Sequence, residues 1–282
     1  MIANPVSGGD ARPLIYRAVD WFRQQGVEVD MMLTEDRGDA RRLAAAAKVQ
    51  NYDRMVVAGG DGTLNEVING LAPSSLPIAF LPLGTTNVFA IEAGLPKAHE
   101  DACHVALAGI PRPVCLGQVD DTRFLLMASA GLDADAVHTV DQTVKRRHGK
   151  LAYIVSALNC LRRGPLPVFE VSDEQGVRHR ACQFLAGNGR YYGGRFSITR
   201  DASLFKPRLD ICLVAPMSRP RYLLTVFGLM LGGTPPGVVR FAGKRLQLHG
   251  DGIPLQLDGD ACGHLPCTVT VTEDEVQIVF PD

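Results

Sequence analysis

Along the first hundred residues the apolar positions switch repeatedly between two periods. Leu14, Ile15, Ala18, Val19 and Phe22 recur at helical spacing until Gly26 stops the run. Residues 27–33 then read as a strand, 39–50 as an alanine-rich helix, 54–58 as a strand, 63–71 as a helix and 78–82 as a strand following Pro77. A further helix is expected near Thr85 and another over 97–108. Such alternation predicts a parallel sheet covered by helices on both faces. Past Ile110-Pro111-Arg112-Pro113 the pattern changes to short apolar runs between turn residues, the signature of antiparallel β structure. Strands are expected at Val119 and over 124–128, 168–171, 182–187, 209–214, 245–248, 255–257 and 269–271, interrupted by helices over 150–161 and 221–231. The expected division is an α/β domain over 1–113 and a β-rich domain over 114–282, with the strand region 271–282 packing back on the first.

Within this pattern the run from Met55 to Gly70 reads as a buried strand, a glycine turn and a helix. Gly59, Gly60 and Gly62 let backbone N–H groups approach a ligand without a Cβ in the way. The first helical turn adds unpaired donors and a positive dipole end, so a phosphate fits. Asp61 repels phosphate unless a cation or a hydroxyl stands between them. The alternative is that Asp61 or Thr63 caps the helix and the glycines only turn the chain. The spacing matches neither the G-x-x-x-x-G-K-[ST] loop nor G-x-G-x-x-G. Ligands of open α/β sheets bind outside the carboxyl ends of the strands. Four such ends carry hydroxyls, amides or glycines: Asn4 to Gly9, Thr34, Gly59 to Thr63, and Gly84-Thr85-Thr86-Asn87.

Composition narrows the partners. The chain has 282 residues, 46% of them apolar, enough for two cores. A net charge of −1 argues against a nucleic-acid binder. The start Met1-Ile2-Ala3-Asn4-Pro5 lacks the pattern of a secretory leader. The longest apolar window, 222–233, is shorter than the roughly 20 residues that span a bilayer. A soluble, cytoplasmic protein is therefore expected. Seven scattered cysteines give no disulfide framework. Cys262, His264 and Cys267 lack a fourth ligand of matching spacing and read as ordinary side chains.

These segments resemble the diacylglycerol kinase and sphingosine kinase family of lipid kinases, in particular its small bacterial members. The matching runs are Asn4-Pro5-x-Ser7-Gly8, Thr34 with Gly38-Asp39-Ala40, Gly59 through Glu66, and Pro82-Leu83-Gly84-Thr85-x-Asn87. They continue with Gly149-Lys150-Leu151-x-Tyr153-Ile154, Gly187-Asn188-Gly189 with Gly193-Gly194, and Leu257-Asp258-Gly259-Asp260. The resemblance implies a phosphofructokinase- and NAD-kinase-like α/β domain, a sandwich-like β domain, and a nucleotide between them. ATP phosphates would lie over Gly59, Gly60, Asp61, Gly62 and Thr63, with Asn4, Ser7, Thr34, Asn65 and Thr85 as further contacts. Asp61 and Asp258 would hold Mg2+. Asp260, at a position where the family has glutamate, would accept the proton of the lipid hydroxyl. The alternative for Asp258-Gly259 is a solvated hairpin turn.

Two further positions depart from the family. Lys206 stands where the small bacterial relatives carry an aspartate serving a structural magnesium, and Cys115 occupies a second acidic position. One reading seats the Lys206 ammonium in the place of that ion, and the other points it into solvent. The expected activity is transfer of the γ-phosphate of ATP to a hydroxyl of a diacylglycerol-like, phosphatidylglycerol-like or sphingoid lipid, within phospholipid biosynthesis. The alternatives are a nucleotide- and lipid-binding sensor and an NAD kinase. The apolar segments 151–161 and 223–231 read as core or as lipid wall. Lys145-Arg146-Arg147-His148 with Lys150 reads as a solvated loop or as a transient peripheral contact with anionic headgroups at the inner face of the membrane. A homodimer is the assembly this reading admits.

Overall fold

The computed structural model describes residues 1–139, 156, 159, 160, 162 and 164–282. The basic stretch 145–150 and the motif 149–154 lie outside them, as do Leu151, Ile154, Val155, Leu158 and Leu161 of the helix expected over 150–161. The chain divides into two units, Met1–Cys115 with Glu273–Asp282, and Leu116–Thr272.

The first unit runs β1 (Ile2–Ala3), α1 (Arg12–Gln24), β2 (Met32–Leu33), α2 (Asp39–Ala47), β3 (Met55–Gly59), α3 (Asp61–Leu71), β4 (Ser74–Pro82), α4 (Val88–Glu92) and α5 (His99–Ala108). Its sheet is parallel in the order β2-β1-β3-β4. A fifth, parallel strand comes from the end of the chain, where Val276 pairs with Ser74 and Ile278 with Ile78. α1 buries Ile15, Ala18, Val19 and Phe22, and α3 buries Leu64, Val67, Ile68 and Leu71. Both sets follow the helical repeat that marks one apolar stripe. β2 is shorter than the strand expected over 27–33, because β1 offers partners only to Met32 and Leu33.

β5 (Ile110–Val119) leads out of this unit. The second unit continues with β6 (Thr122–Phe124), β7 (Met127–Gly131), α6 (Leu132–Thr139), β8 (Phe169–Ser172), β9 (Arg178–Ala181), β10 (Gln183–Gly187), β11 (Tyr191–Tyr192), β12 (Phe196–Ser197) and β13 (Leu209–Val214). It is completed by α7 (Arg219–Met230), β14 (Val238–Gly243), β15 (Arg245–His249), β16 (Pro254–Leu257), β17 (Asp260–His264) and the opening part of β18 (Cys267–Phe280), whose residues from Glu273 on belong to the first unit. One antiparallel sheet has the order β14-β13-β10-β7-β16-β17. In the other, β15 pairs antiparallel with both β18 and β8, and β8 with β9. One apolar core draws Phe184, Ile211 and Leu255 from the first sheet and Val171, Leu246, Leu248 and Val269 from the second. The protein is thus an α/β domain with a parallel sheet, followed by an antiparallel β sandwich, the fold class legible in its sequence pattern.

Candidate active site

In the parallel order β2-β1-β3-β4 the carboxyl ends of four strands share one edge of the sheet, and the first unit's sequence-predicted residues lie at or just after these ends. Asn4 follows β1, takes the carbonyl of Ala58 with its own N–H at 2.8 Å, and donates from Nδ2 to Thr63 Oγ1 at 3.3 Å. Thr34 follows β2 and is buried, its N–H on Ala3 O at 2.9 Å. Thr63 is buried in the first turn of α3. Asn65 sits one turn further, its Oδ1 accepting from Asn69 Nδ2 at 3.0 Å. Thr85 is exposed beyond β4.

The loops after β1, β3 and β4 are built around close backbone approaches. A Cβ on Gly84 would stand 2.6 Å from Asn87 Oδ1 and 2.7 Å from Gly60 Cα. A Cβ on Gly60 would meet Ser7 Oγ at 3.4 Å, and one on Gly8, at φ +65, would collide with Leu83 O. Gly60 precedes α3 in extended conformation, without a side-chain cap. The leading N–H groups of α3 have no acceptor within the helix, and with the glycine loops packed backbone to backbone beside them they are a candidate anion cradle.

Asp61 has a task the sequence reading did not foresee. Its carboxylate accepts from Val88 N at 2.8 Å and Phe89 N at 2.9 Å, so it caps α4 rather than the helix it begins. This explains why α4 starts at Val88 and not near Thr85. Asn87 just before it adopts a left-handed conformation and donates from Nδ2 to Gly84 O at 2.8 Å. Burial pushes the Asp61 carboxyl above the ordinary carboxylate range, and the backbone N–H groups of Phe89, Val88 and Asp61 itself oppose that shift. The carboxylate still has acceptor capacity, room for a water of a magnesium shell. Asn87 Oδ1 is buried without a hydrogen-bond partner among the described residues, a second acceptor beside the cradle. These acceptors fit a hydrated cation that accompanies a phosphate. A cleft of about 510 Å³ between α1 and α5, lined by Tyr16, Trp21, His99 and Cys103 among others, involves none of the strand-end residues.

In the second unit Asp258 and Gly259 form the two-residue turn between β16 and β17. Both have positive φ, +49 and +87, as a tight hairpin requires. The Asp258 side chain accepts three backbone N–H groups: Leu125 at 2.7 Å, Leu126 at 2.9 Å and Met127 at 2.8 Å. The single strand expected over 124–128 is consequently broken, with β6 ending at Phe124 and β7 starting at Met127. Asp260, half-buried, opens β17 opposite Leu257.

A polar network missed by sequence reasoning holds this hairpin. Gly259 N donates to Gln256 Oε1 at 2.7 Å, Gln256 Nε2 to Ser129 Oγ at 2.7 Å, and Ser129 to Asp133 Oδ2 at 2.5 Å. A second arm runs from the Tyr222 hydroxyl to Gln183 Oε1 at 2.9 Å and from Gln183 Nε2 to Asp133 Oδ1 at 2.6 Å. The Tyr192 hydroxyl and Ala134 N also end on Asp133. Both arms end on this one carboxyl group. The available signal was Gly131-Leu132-Asp133, an acid just past a buried strand, as in Gly59-Gly60-Asp61.

Lys206 is exposed on a turn closed by its own N–H to Ser203 O at 3.1 Å, so the reading that buries its ammonium in place of an ion gives way to the solvent-facing one. The buried acid nearby in sequence is Asp210, which accepts from Asp201 N at 3.1 Å. Burial raises its pKa, with the positive charge of Arg240 working against that rise. Cys115 is buried. Burial also lifts the thiol of Cys267 to about 12 and raises that of Cys262.

Comparison with known proteins shows the family. The diacylglycerol kinase catalytic domain matches residues 1–119, and the YegS C-terminal NAD kinase beta sandwich-like domain matches residues 127–280. The chain belongs to the diacylglycerol kinase catalytic domain family. It is 35% identical over 249 residues to a probable lipid kinase YegS-like of Pseudomonas putida, covering 85% of this chain and 83% of that one. It is 28% identical over 291 residues to a diacylglycerol kinase of Bacillus subtilis, covering 100% and 95%. A crystal structure of a putative diacylglycerol kinase from Bacillus anthracis superposes with a TM-score of 0.83 at 24% identity, covering 99% and 93%, and shares the fold.

Proposed function

We propose that this protein is an ATP-dependent lipid kinase that transfers the γ-phosphate to a hydroxyl of a diacylglycerol-like, phosphatidylglycerol-like or sphingoid lipid. The observation that carries the reading is the close backbone packing of the loops through Gly8, Gly60 and Gly84 at the uncapped start of α3. In this reading the leading N–H groups of α3 bind the phosphates, and Asn4, Ser7, Thr34, Thr63, Asn65 and Thr85 contact the remainder of the nucleotide. Phosphoryl transfer needs positioning, charge neutralisation and a carboxylate that orients the hydroxyl. Magnesium, held through water at Asp61, would neutralise charge on the phosphate oxygens. Asp260 accepts the hydroxyl proton. Asp258, occupied by three N–H groups, fixes the hairpin that carries Asp260 and is assigned no metal. NAD kinase is the weaker enzyme reading, since the matched catalytic domain and the named relatives belong to lipid kinases.

The test is incubation with radiolabelled ATP and a lipid extract, followed by mass spectrometry of the labelled product. Labelled lipid is expected, and Asp260→Ala should lower its formation by about a hundredfold or more, the usual scale of a lost general base. ATP binding without transfer would instead identify a nucleotide-binding sensor. Labelled NADP in place of lipid would identify an NAD kinase.

A further inference from the structure

The second unit gathers exposed apolar side chains on one helix. Leu223, Leu224, Phe227 and Met230 of α7, with Leu231 just past its end, are 45, 72, 62, 38 and 73% exposed. Tyr222, Thr225 and Leu229 point inward, and two of them are tied down, Tyr222 to Gln183 at 2.9 Å and Thr225 to Met217 Sδ at 3.4 Å. At ~100° per residue the five exposed side chains span an arc of about 120°, with Arg219 just outside one edge and Arg221 outside the other. The helix, RPRYLLTVFGLM, contains no acidic residue. Past its far end Gly232, at φ +84, leaves the space a Cβ would take to the guanidinium of Arg200.

Single exposed apolar residues are ordinary, whereas five on one arc form a patch with a use. We infer that α7 is an interfacial helix that lies in the plane of an anionic lipid surface. Its apolar arc enters the acyl boundary, and Arg219, Arg221 and Arg200 meet lipid phosphates. The charge pattern favours lipid over a second copy of the chain. Two such faces packed about a two-fold axis would set arginines against arginines with no carboxylate on either helix to pair them. No helix among the described residues is long and apolar enough to cross a membrane, so this one lies on the surface.

The choice of a lipid surface rests on the lipid-kinase reading, so the test measures adhesion apart from turnover. The full chain is floated with vesicles of equimolar phosphatidylglycerol and phosphatidylcholine, and with phosphatidylcholine alone. It should float with the anionic vesicles. Combined Leu224→Gln, Phe227→Gln and Leu231→Gln should cut partitioning at least about tenfold, a modest loss for three large apolar side chains withdrawn from the boundary. Arg219→Gln with Arg221→Gln should cost less and leave a smaller dependence on salt. The triple variant should keep its urea midpoint and its turnover of a short-chain, water-soluble acceptor, which separates lost docking from lost folding or lost catalysis. Flotation of the triple variant at the wild-type level overturns the inference. So does light scattering that shows a wild-type dimer becoming monomeric in the triple variant while flotation is unchanged. Flotation that depends on α7 without any lipid phosphorylation leaves the inference standing and removes the kinase reading.

Discussion

Asp258 and Asp260 flank one glycine, and the surroundings of Asp258 fix its structural task. Three N–H groups converge on Asp258, and its backbone sits at φ +49, a conformation open to few residues besides glycine, asparagine and aspartate. Asp258→Ala leaves those donors unpaired and strains the turn. A loss of about 3 kcal/mol or more is expected in urea denaturation, since each buried unpaired group costs about 1–3 kcal/mol. Asp258→Asn keeps one acceptor oxygen and should lose less; an Ala variant as stable as wild type would contradict the clamp. Asp39 carries the pH dependence that can be signed. Arg42 beside it, followed by the N–H groups of Glu35 and Asp36, holds its carboxyl at about 2. A carboxyl lowered in the folded state stabilises fully above its unfolded value, about 3.9, and that contribution fades as pH falls toward about 2. The gap in urea midpoint between wild type and Asp39→Asn should therefore narrow over that descent. A gap that widens on acidification would reverse the assignment.

At the scale of elements, the cradle depends on the loops after β3 and β4 touching through bare backbone. Gly84→Ala places a methyl against Gly60 Cα and Asn87 Oδ1, so the loops must separate or Asn87 must abandon Gly84 O. Weakening of ATP binding by about tenfold or more is expected, corresponding to 1.4 kcal/mol. Titration calorimetry reads it, beside a stability loss of about 1–3 kcal/mol from overpacking. Unchanged ATP affinity would move the phosphates elsewhere. The sequence exposed this loop because a strand, a glycine turn and a helix are all local. It concealed Asp61 as the cap of α4, since that bond joins residues 27 and 28 positions apart. The Asp133 network was likewise hidden, its members being scattered from Ser129 to Gly259. Ile110 to Pro113 read as a boundary because the pattern changes past them; they open β5 at an exposed stretch where the missing N–H groups of two prolines are tolerated, and the units divide just beyond, after Cys115. The apolar run in α7 could not be assigned to core or surface from hydropathy alone, since either fate uses the same residues.

The whole molecule is interrupted: the first unit is made of residues 1–115 and 273–282, with the second unit inserted between them. The closing segment is no ornament, for Val276, Ile278, Val279 and Phe280 are all buried and its backbone completes the sheet beside β4. At about 1.5–3 kcal/mol per buried side chain, these four contribute roughly 6–12 kcal/mol, an upper bound because the unfolded chain also buries some surface. That range is comparable to the entire stability of a typical domain, about 5–15 kcal/mol. Deleting residues 273–282 should therefore unfold the first unit, whereas the sandwich of residues 116–272 keeps its own core. Hydrogen exchange on the truncated chain should show amides of β1, β3 and β4 exchanging at unprotected rates while those of β7, β10 and β13 stay protected. ATP binding should vanish with the first set, because the cradle is carried by the same strands. Equal loss in both sets would mean that the sandwich cannot stand without the first unit, and full protection in both would mean that the final strand adds far less than its burial implies.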